Sequence, residues 1–337
     1  MDRVSCDIQT VIANEKLFRR LEGASILVTG ATGLIGSMLV KTLLAANDQY
    51  NCDIKVIGQI RNFDKAGRIF GKDVKNLALS ASADVPCTHI IHTVSPTSSK
   101  YFIESPVETI KTSVGSAMEI LEIAEKNHAS LVYLSSMEQY GVPYQPGQHM
   151  TEDMIGIIDH LNIRSSYSES KRLCECLCAS YAAEYGVDVK IARLAQTFGA
   201  GISLTDNRMP MQFAKAAAES RDIILHTKGE SISNFVYLTD AVSGILTILV
   251  SGEKGQAYNV CNDSETRSVR EIAELVCQSV ADGKIAVRVE EKENMGYAPT
   301  VAMYLDSRKL RSLGWTAEID MASAYARLVE YIKESMT

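Results

Sequence analysis

Short apolar runs rich in β-branched residues punctuate the chain up to residue 199. They are SILVT (25–29), IKVIGQI (54–60), HIIHT (89–93), SLVYLSS (130–136) and DVKIARL (188–194). Between them lie longer stretches whose apolar residues recur at helical spacing, at 34–46, 107–127 and 166–185. Strands that are apolar on both faces and alternate with helices predict a parallel sheet covered on both sides. The expected class is a Rossmann-like, doubly wound α/β fold. Past Gly199 the elements shorten and mix: helical at 208–220, 240–251 and 268–281, extended at 222–226, 234–238 and 257–260. A further amphipathic helix is predicted at 319–335, and another at 8–21 ahead of the first strand. The organisation read from this pattern is an N-terminal extension (1–24), a sheet-building core (25–199) and a smaller mixed lobe (200–337). A segment of that lobe is allowed to return to the sheet.

The turn after the first strand reads Thr29-Gly30-Ala31-Thr32-Gly33-Leu34-Ile35-Gly36. A glycine triplet alone occurs in ordinary turns, but this one joins a buried strand to an amphipathic helix. Gly30 permits the tight turn, Gly33 lets backbone N–H groups approach a pyrophosphate, and Gly36 lets the helix pack closely on the strand. A dinucleotide site is therefore expected at Gly30, Thr32, Gly33, Leu34, Ile35 and Gly36. The second strand ends in Gln59-Ile60-Arg61-Asn62, without the acidic residue that suits an adenosine ribose. Arg61 suits a 2′-phosphate instead, which tilts the choice between NAD and NADP mildly toward NADP.

Ser166-Tyr167-Ser168-Glu169-Ser170-Lys171 opens a helix and puts Tyr167 and Lys171 one turn apart on one face. A cation beside a phenol favours the phenolate, which can accept a proton from a substrate hydroxyl. The strand 130–136 ends at Ser136, whose hydroxyl can bond the reacting oxygen. Tyrosine, lysine and serine in this order after a dinucleotide loop point to hydride-transfer chemistry at an alcohol carbon.

The spacing TGxxGxxG, with HIIHTVSPTSSKYF, LSSMEQYG, RSSYSESKR, IARLAQTFG, DNRMPMQFAKA and VYLTDAVSGIL in that order, resembles the extended short-chain dehydrogenase/reductases. Within them it resembles the nucleotide-sugar epimerases, dehydratases and decarboxylases, most of all the UDP-glucuronate decarboxylases. The resemblance implies that Val94 and Ser95 lie beside the cofactor and that Gln196 lies near the sugar or diphosphate. It implies that Arg208 lines the nucleotide pocket, that Glu138 serves as a second acid/base, and that Ser136, Tyr167 and Lys171 are catalytic. The implied reaction oxidises a sugar hydroxyl, most naturally at C4, on a nucleoside-diphosphate sugar. An NADPH-dependent keto-sugar reductase and a non-catalytic dinucleotide sensor are the alternatives. Relatives dimerise through two helices, which here correspond to 107–127 and 166–185.

Four positions depart from that pattern. Met137 stands where dehydratases carry an aspartate, and a thioether cannot donate the proton that dehydration needs, so epimerisation or decarboxylation is favoured. Ser233 stands where an arginine is expected, leaving Arg208 or Lys215 to supply charge to a diphosphate. Ser113 replaces an asparagine, and the late arginine expected near 296–299 is missing.

Bulk properties narrow the partners. With 46% hydrophobic and 22% charged residues the chain is globular, and a net charge of −7 without a basic run disfavours nucleic acid and anionic membranes. No apolar run reaches the length of a membrane span, and the N-terminal stretch lacks a signal-peptide core, so a cytoplasmic enzyme is expected. The eight cysteines form no paired framework. Cys174, Cys176 and Cys178 alternate within a helix and are read as packing thiols, with no metal site. His89 and His92 are read as satisfied strand histidines, Trp315 as a packing residue, and His160 and Arg164 as candidate substrate contacts.

Overall fold

The computed structural model describes residues 1–96, 99–291 and 300–336, and the expected arginine position near 296–299 lies outside them. Two helices open the chain, α1 (Arg3–Ile12) and α2 (Glu15–Arg19), where the apolar spacing predicted one. The break falls at Asn14, whose backbone leaves helical geometry (φ −85°, ψ 75°). The first half of the core then runs β1 (Ser25–Thr29), α3 (Leu34–Tyr50), β2 (Lys55–Gln59), α4 (Phe63–Phe70) and β3 (Leu77–Ser80). The second half runs β4 (His89–His92), α5 (Ser99–Glu104), α6 (Pro106–Asn127), β5 (Ser130–Ser136), β6 (His149–Met150), α7 (Ser165–Glu184) and β7 (Val189–Leu194). α6 starts on Pro106, whose missing N–H is no loss in a first turn, and stops at His128 in the left-handed region (φ 51°).

After β7 come β8 (Gln196–Phe198), α8 (Met209–Ala218), β9 (Ile223–Leu225), β10 (Ile232–Tyr237), α9 (Leu238–Ser251), β11 (Ala257–Val260) and β12 (Asn262–Ser268). The chain closes with α10 (Val269–Leu275), β13 (Val287–Val289), β14 (Tyr304–Leu305), α11 (Arg308–Arg311) and α12 (Met321–Met336). The helix predicted over 268–281 begins with a capping box between Ser268 and Glu271. It then relaxes into a π turn at Val276–Val280.

Seven parallel strands form the main sheet in the order β3-β2-β1-β4-β5-β7-β11. The predicted doubly wound sheet is thus present, and it is wider than the five apolar runs suggested. β3 joins one edge, and 257–260, read as part of the smaller lobe, joins the other beside β7. The helical pair α6 and α7 packs on one face of the sheet, through Ala117, Leu121, Cys174 and Cys178. α3 and α9 cover the other, with Leu39, Leu43, Ile245 and Leu249. A separate cluster, including Phe198, Phe213, Tyr325 and Leu328, builds the region around α8 and α12.

The N-terminal extension is built into this body. α1 turns Asp7, Ile8, Val11 and Ile12 inward. Asp7 is fully buried and accepts a hydrogen bond from Tyr237 at 2.6 Å and from Arg327 at 2.9 Å, with Arg3 at 3.1 Å. One carboxylate therefore joins α1 to β10 and α12. No helix among the described residues is long and apolar enough to cross a membrane.

Candidate active site

From β1 the chain winds outward to β2 and β3, then crosses back to β4 on the other side of β1. The strand order reverses between β1 and β4, and their C-terminal ends leave a crevice there. The glycine loop fills its floor. Gly30 takes φ +63°, and a Cβ on it would stand 2.9 Å from Thr93 Oγ1 and 3.2 Å from Val94 Cγ2. A Cβ on Gly36 would stand 2.4 Å from the Gly30 carbonyl oxygen, so only glycine lets α3 sit this close to the loop. Gly33 is exposed and begins α3 without a side-chain cap, which leaves the first N–H groups of that helix free for an anion. Thr32, Leu34 and Ile35 are half-buried around it. These residues fit the pyrophosphate of a dinucleotide: a cradle that a side chain would block, ending on a bare helix N-terminus.

Gln59 accepts a hydrogen bond from Gly30 N at 3.3 Å and donates to Ala81 O at 3.3 Å, tying the loop to the end of β2. Arg61 follows, exposed and without an ion-pair partner among the described residues. Across the crevice Thr93 donates to Thr29 O at 2.6 Å, and His92 Nδ1 lies 3.0 Å from Thr29 Oγ1. Burial holds His92 down to about 3, so the ring is a neutral strut, as the sequence suggested.

Tyr167 stands at the crevice's other wall. Its ring lies flat on Phe102, with centroids 4.3 Å apart and planes inclined by 6°. Burial, and secondarily the Glu138 charge, push the phenol above its ordinary value. The hydroxyls of Ser136 and Ser95 and the charge of Arg208 pull it back. Ser95, Ser136, Glu138 and Arg208, drawn from four separate stretches, thus converge on one phenol. Lys171 is buried, and its Nζ donates to Leu134 O at 2.7 Å and to Tyr133 OH at 3.3 Å. The ammonium lies 4.9 Å from the Tyr133 ring centre and 5.7 Å from that of Tyr167, and burial holds it down to about 8. One turn further along α7, Glu175 is clamped by Arg193 of β7 (2.7 Å to Nη2) and by the Ser135 hydroxyl. That buried pair sets the rotation of α7 and so aims Tyr167 into the crevice.

Glu138 opens into the cleft, and Arg164 Nη2 lies 3.7 Å from its Oε2. Gln196 is exposed at the start of β8. Arg208 precedes α8 and bonds Asp206 at 3.0 Å through Nε. Met137 and Ser233, two of the departures noted above, meet each other: the Ser233 hydroxyl lies 3.7 Å from the Met137 sulfur. The third, Ser113, is buried, its hydroxyl without a partner among the described residues.

Other expectations resolve as follows. Lys215 bonds the Leu204 carbonyl, so its ammonium is engaged away from the phenol. His160 stays exposed, whereas Arg164 reaches the site. Tyr237 and Asp240 of VYLTD are buried; Tyr237 donates to Asp7 and Asp240 accepts from Ile319 N. Trp315 packs with its indole N–H on Asp240 O at 3.1 Å. Cys174 and Cys178 are buried with raised thiols, and Cys176 is exposed. Phe102 and Tyr133 were not foreseen, since an aromatic residue in an apolar segment carries no mark of what it will stack on.

Comparison with known proteins agrees with this geometry. Residues 26–261 match the NAD dependent epimerase/dehydratase family. The chain is 28% identical over 312 residues to UDP-glucuronic acid decarboxylase 6 of Arabidopsis thaliana, covering 92% of this chain and 88% of the relative. In fold it is similar to a UDP-N-acetylglucosamine 4-epimerase from Methanobrevibacter ruminantium (TM-score 0.78, 17% identity, 93% and 99% of the two chains). It is also similar to a UDP-glucuronic acid 4-epimerase from Bacillus cereus, solved with NAD (TM-score 0.77, 18% identity, 92% and 99%).

Proposed function

Because the chain belongs to the NAD dependent epimerase/dehydratase family, we propose that it oxidises a hydroxyl, at C4, of a nucleoside-diphosphate sugar and rearranges the resulting ketone. The observation that carries this reading is the meeting of Tyr167 with Ser136 and with Ser95, which directly follows the Thr93–Val94 pair that stands against Gly30 of the glycine loop. The bound dinucleotide supplies the hydride acceptor. Tyr167 takes the proton of the sugar hydroxyl, Ser136 orients that oxygen, and the buried Lys171 ammonium lowers the energy of the phenolate. Glu138, raised above the ordinary carboxylate range by burial and opposed by Arg164, is placed to exchange a second proton with the sugar. Gln196 and Arg208 hold the sugar and the nucleotide, and Val94 and Ser95 border the nicotinamide. Epimerisation or decarboxylation fits Met137 better than dehydration, because the thioether carries no proton to give.

Arg61, exposed at the end of β2 with no ion-pair partner among the described residues, favours NADP and keeps an NADPH-dependent keto-sugar reductase as the second reading. Exposed Val107, Ile110 and Met118 on α6 and Leu173 on α7 form an apolar face suited to a homodimer of the cytoplasmic enzyme. Mass spectrometry of the purified protein tests the reading by identifying the retained dinucleotide. Incubation with nucleotide sugars then shows whether a keto or epimerised product forms. Retention of no dinucleotide, or turnover of a free sugar alone, overturns it.

A further inference from the structure

Lys171 carries a charge inside the core, so it needs partners in place of water. β5 supplies two: Leu134 O accepts from Nζ at 2.7 Å and the Tyr133 hydroxyl at 3.3 Å. Tyr133 is buried too, and burial raises its phenol, so the hydroxyl keeps its proton. That hydroxyl partly offsets the rise that burial gives the Cys174 thiol, as a donor aimed at sulfur does. A hydroxyl that turns its proton toward sulfur leaves its lone pairs for the ammonium. Cys174 in turn donates to Ser113 O of α6 at 3.5 Å. Ammonium, phenol, thiol and carbonyl thus line up from α7 through β5 to α6. His92 flanks the Tyr133 ring, 5.7 Å away and inclined by 16°, and burial keeps it neutral. The other titratable groups acting on the ammonium are Tyr167, Glu175 and Cys178, all on α7. Burial keeps the phenol and the thiol protonated, and the one charge, on Glu175, is clamped by Arg193.

We propose that Tyr133 is a positioning residue for Lys171: its hydroxyl holds the ammonium on β5, the strand that ends in Ser136, and Cys174 fixes the direction of that hydroxyl. The reaction that the ammonium serves rests on the nucleotide-sugar reading above; the hold itself does not. The strand that carries Ser136 then also fixes the cation that acts on Tyr167, so the three groups keep one geometry. Because the hydroxyl accepts from the charged form, it keeps Lys171 protonated to higher pH than burial alone would allow.

The test uses the full-length protein with its retained dinucleotide, its lysines isotopically labelled at Cε and titrated by NMR, with Lys171→Met identifying the resonance. Tyr133→Phe keeps the ring 4.9 Å from the ammonium and removes only the hydroxyl. Loss of a hydrogen bond to a charged group at 3.3 Å should move the Lys171 titration about one pH unit lower. The alkaline decline in turnover should move with it. Activity lost near pH 8 should then return on acidification, which general loosening of the core would not produce. Cys174→Ala should shift the titration the same way by less, and Cys174→Ser, which restores an acceptor, should bring it back. A Tyr133→Phe titration that matches the wild type overturns the proposal. Should that variant not fold, an unmoved Cys174→Ala titration does the same. If the titration moves but no nucleotide sugar is turned over by the wild type, the hold on Lys171 stands and the nucleotide-sugar reading falls.

Discussion

Replacing Tyr167 by phenylalanine removes one oxygen from the centre of the site and little else. The ring keeps its face on Phe102, 4.3 Å away and nearly parallel, so the wall of the crevice survives. Ser136 keeps a partner, because its hydroxyl also accepts from Glu138 N at 3.2 Å. A neutral hydrogen bond contributes about 1 kcal/mol net, so stability should change by no more than about 1–2 kcal/mol. Dinucleotide binding, which rests on the glycine loop, should be near normal. Chemistry should not be. A positioned acid/base is worth ~10²–10⁴ in rate, or about 3–5 kcal/mol of barrier. Single-turnover reduction of the bound dinucleotide, followed by nicotinamide absorbance after mixing with nucleotide sugar, reads the chemical step. Urea denaturation and dinucleotide fluorescence serve as controls for folding and binding. A variant that keeps more than a tenth of the wild-type rate would remove Tyr167 from the role of proton acceptor.

Three further outcomes follow from the same geometry. Lys171 is held down from 10.5 to about 8 by burial, so it carries its charge below pH 8, and turnover should fall as pH rises through that value. The unfolded chain keeps this proton up to about 10.5, so Lys171's contribution to stability should rise with pH between those two values, opposite to activity. A pH–rate profile with no decline near 8, or one that Lys171→Met leaves unaltered, contradicts the assignment. Gly36→Val would force a Cβ to within 2.4 Å of the Gly30 oxygen. It should abolish dinucleotide retention by mass spectrometry while circular dichroism remains near normal, and normal retention would show that the loop is not the cradle. Asp7→Ala leaves Arg3, Arg327 and the Tyr237 hydroxyl without their shared acceptor. Removing one partner of a buried charged cluster costs about 3–5 kcal/mol, so a urea midpoint matching the wild type would mean that α1 is not structurally required.

The core strands, α3, α6, α7 and the glycine loop were legible because each rests on local information. A β-branched run buried on both faces, a 3.6-residue apolar period or a left-handed turn that needs glycine is set by neighbours in the chain. β3 and α4 were missed because their residues are half-exposed and show no strong period. The break at Asn14 was missed because the apolar spacing of 8–21 continues through it. Tyr167, Lys171 and Ser136 were identified from their order and spacing, and Gln196 and Arg208 only through family resemblance.

What the sequence determined by itself was therefore the parallel sheet, the glycine loop after β1 and the candidate site residues Ser136, Tyr167 and Lys171. Only the tertiary structure decided what surrounds them. It brought Ser95 and Ser136 to one phenol, laid Phe102 against that ring, and set Lys171 on Tyr133 and Leu134 O. It also brought Met137 against Ser233, 96 positions apart, and Asp7 against Tyr237, 230 apart. Period and propensity act over a few residues, whereas these contacts depend on how separate helices, strands and loops are brought together by the fold. The charge pairing around the phenol, between Arg164 and Glu138 and between Arg208 and Asp206, is a property of that tertiary arrangement.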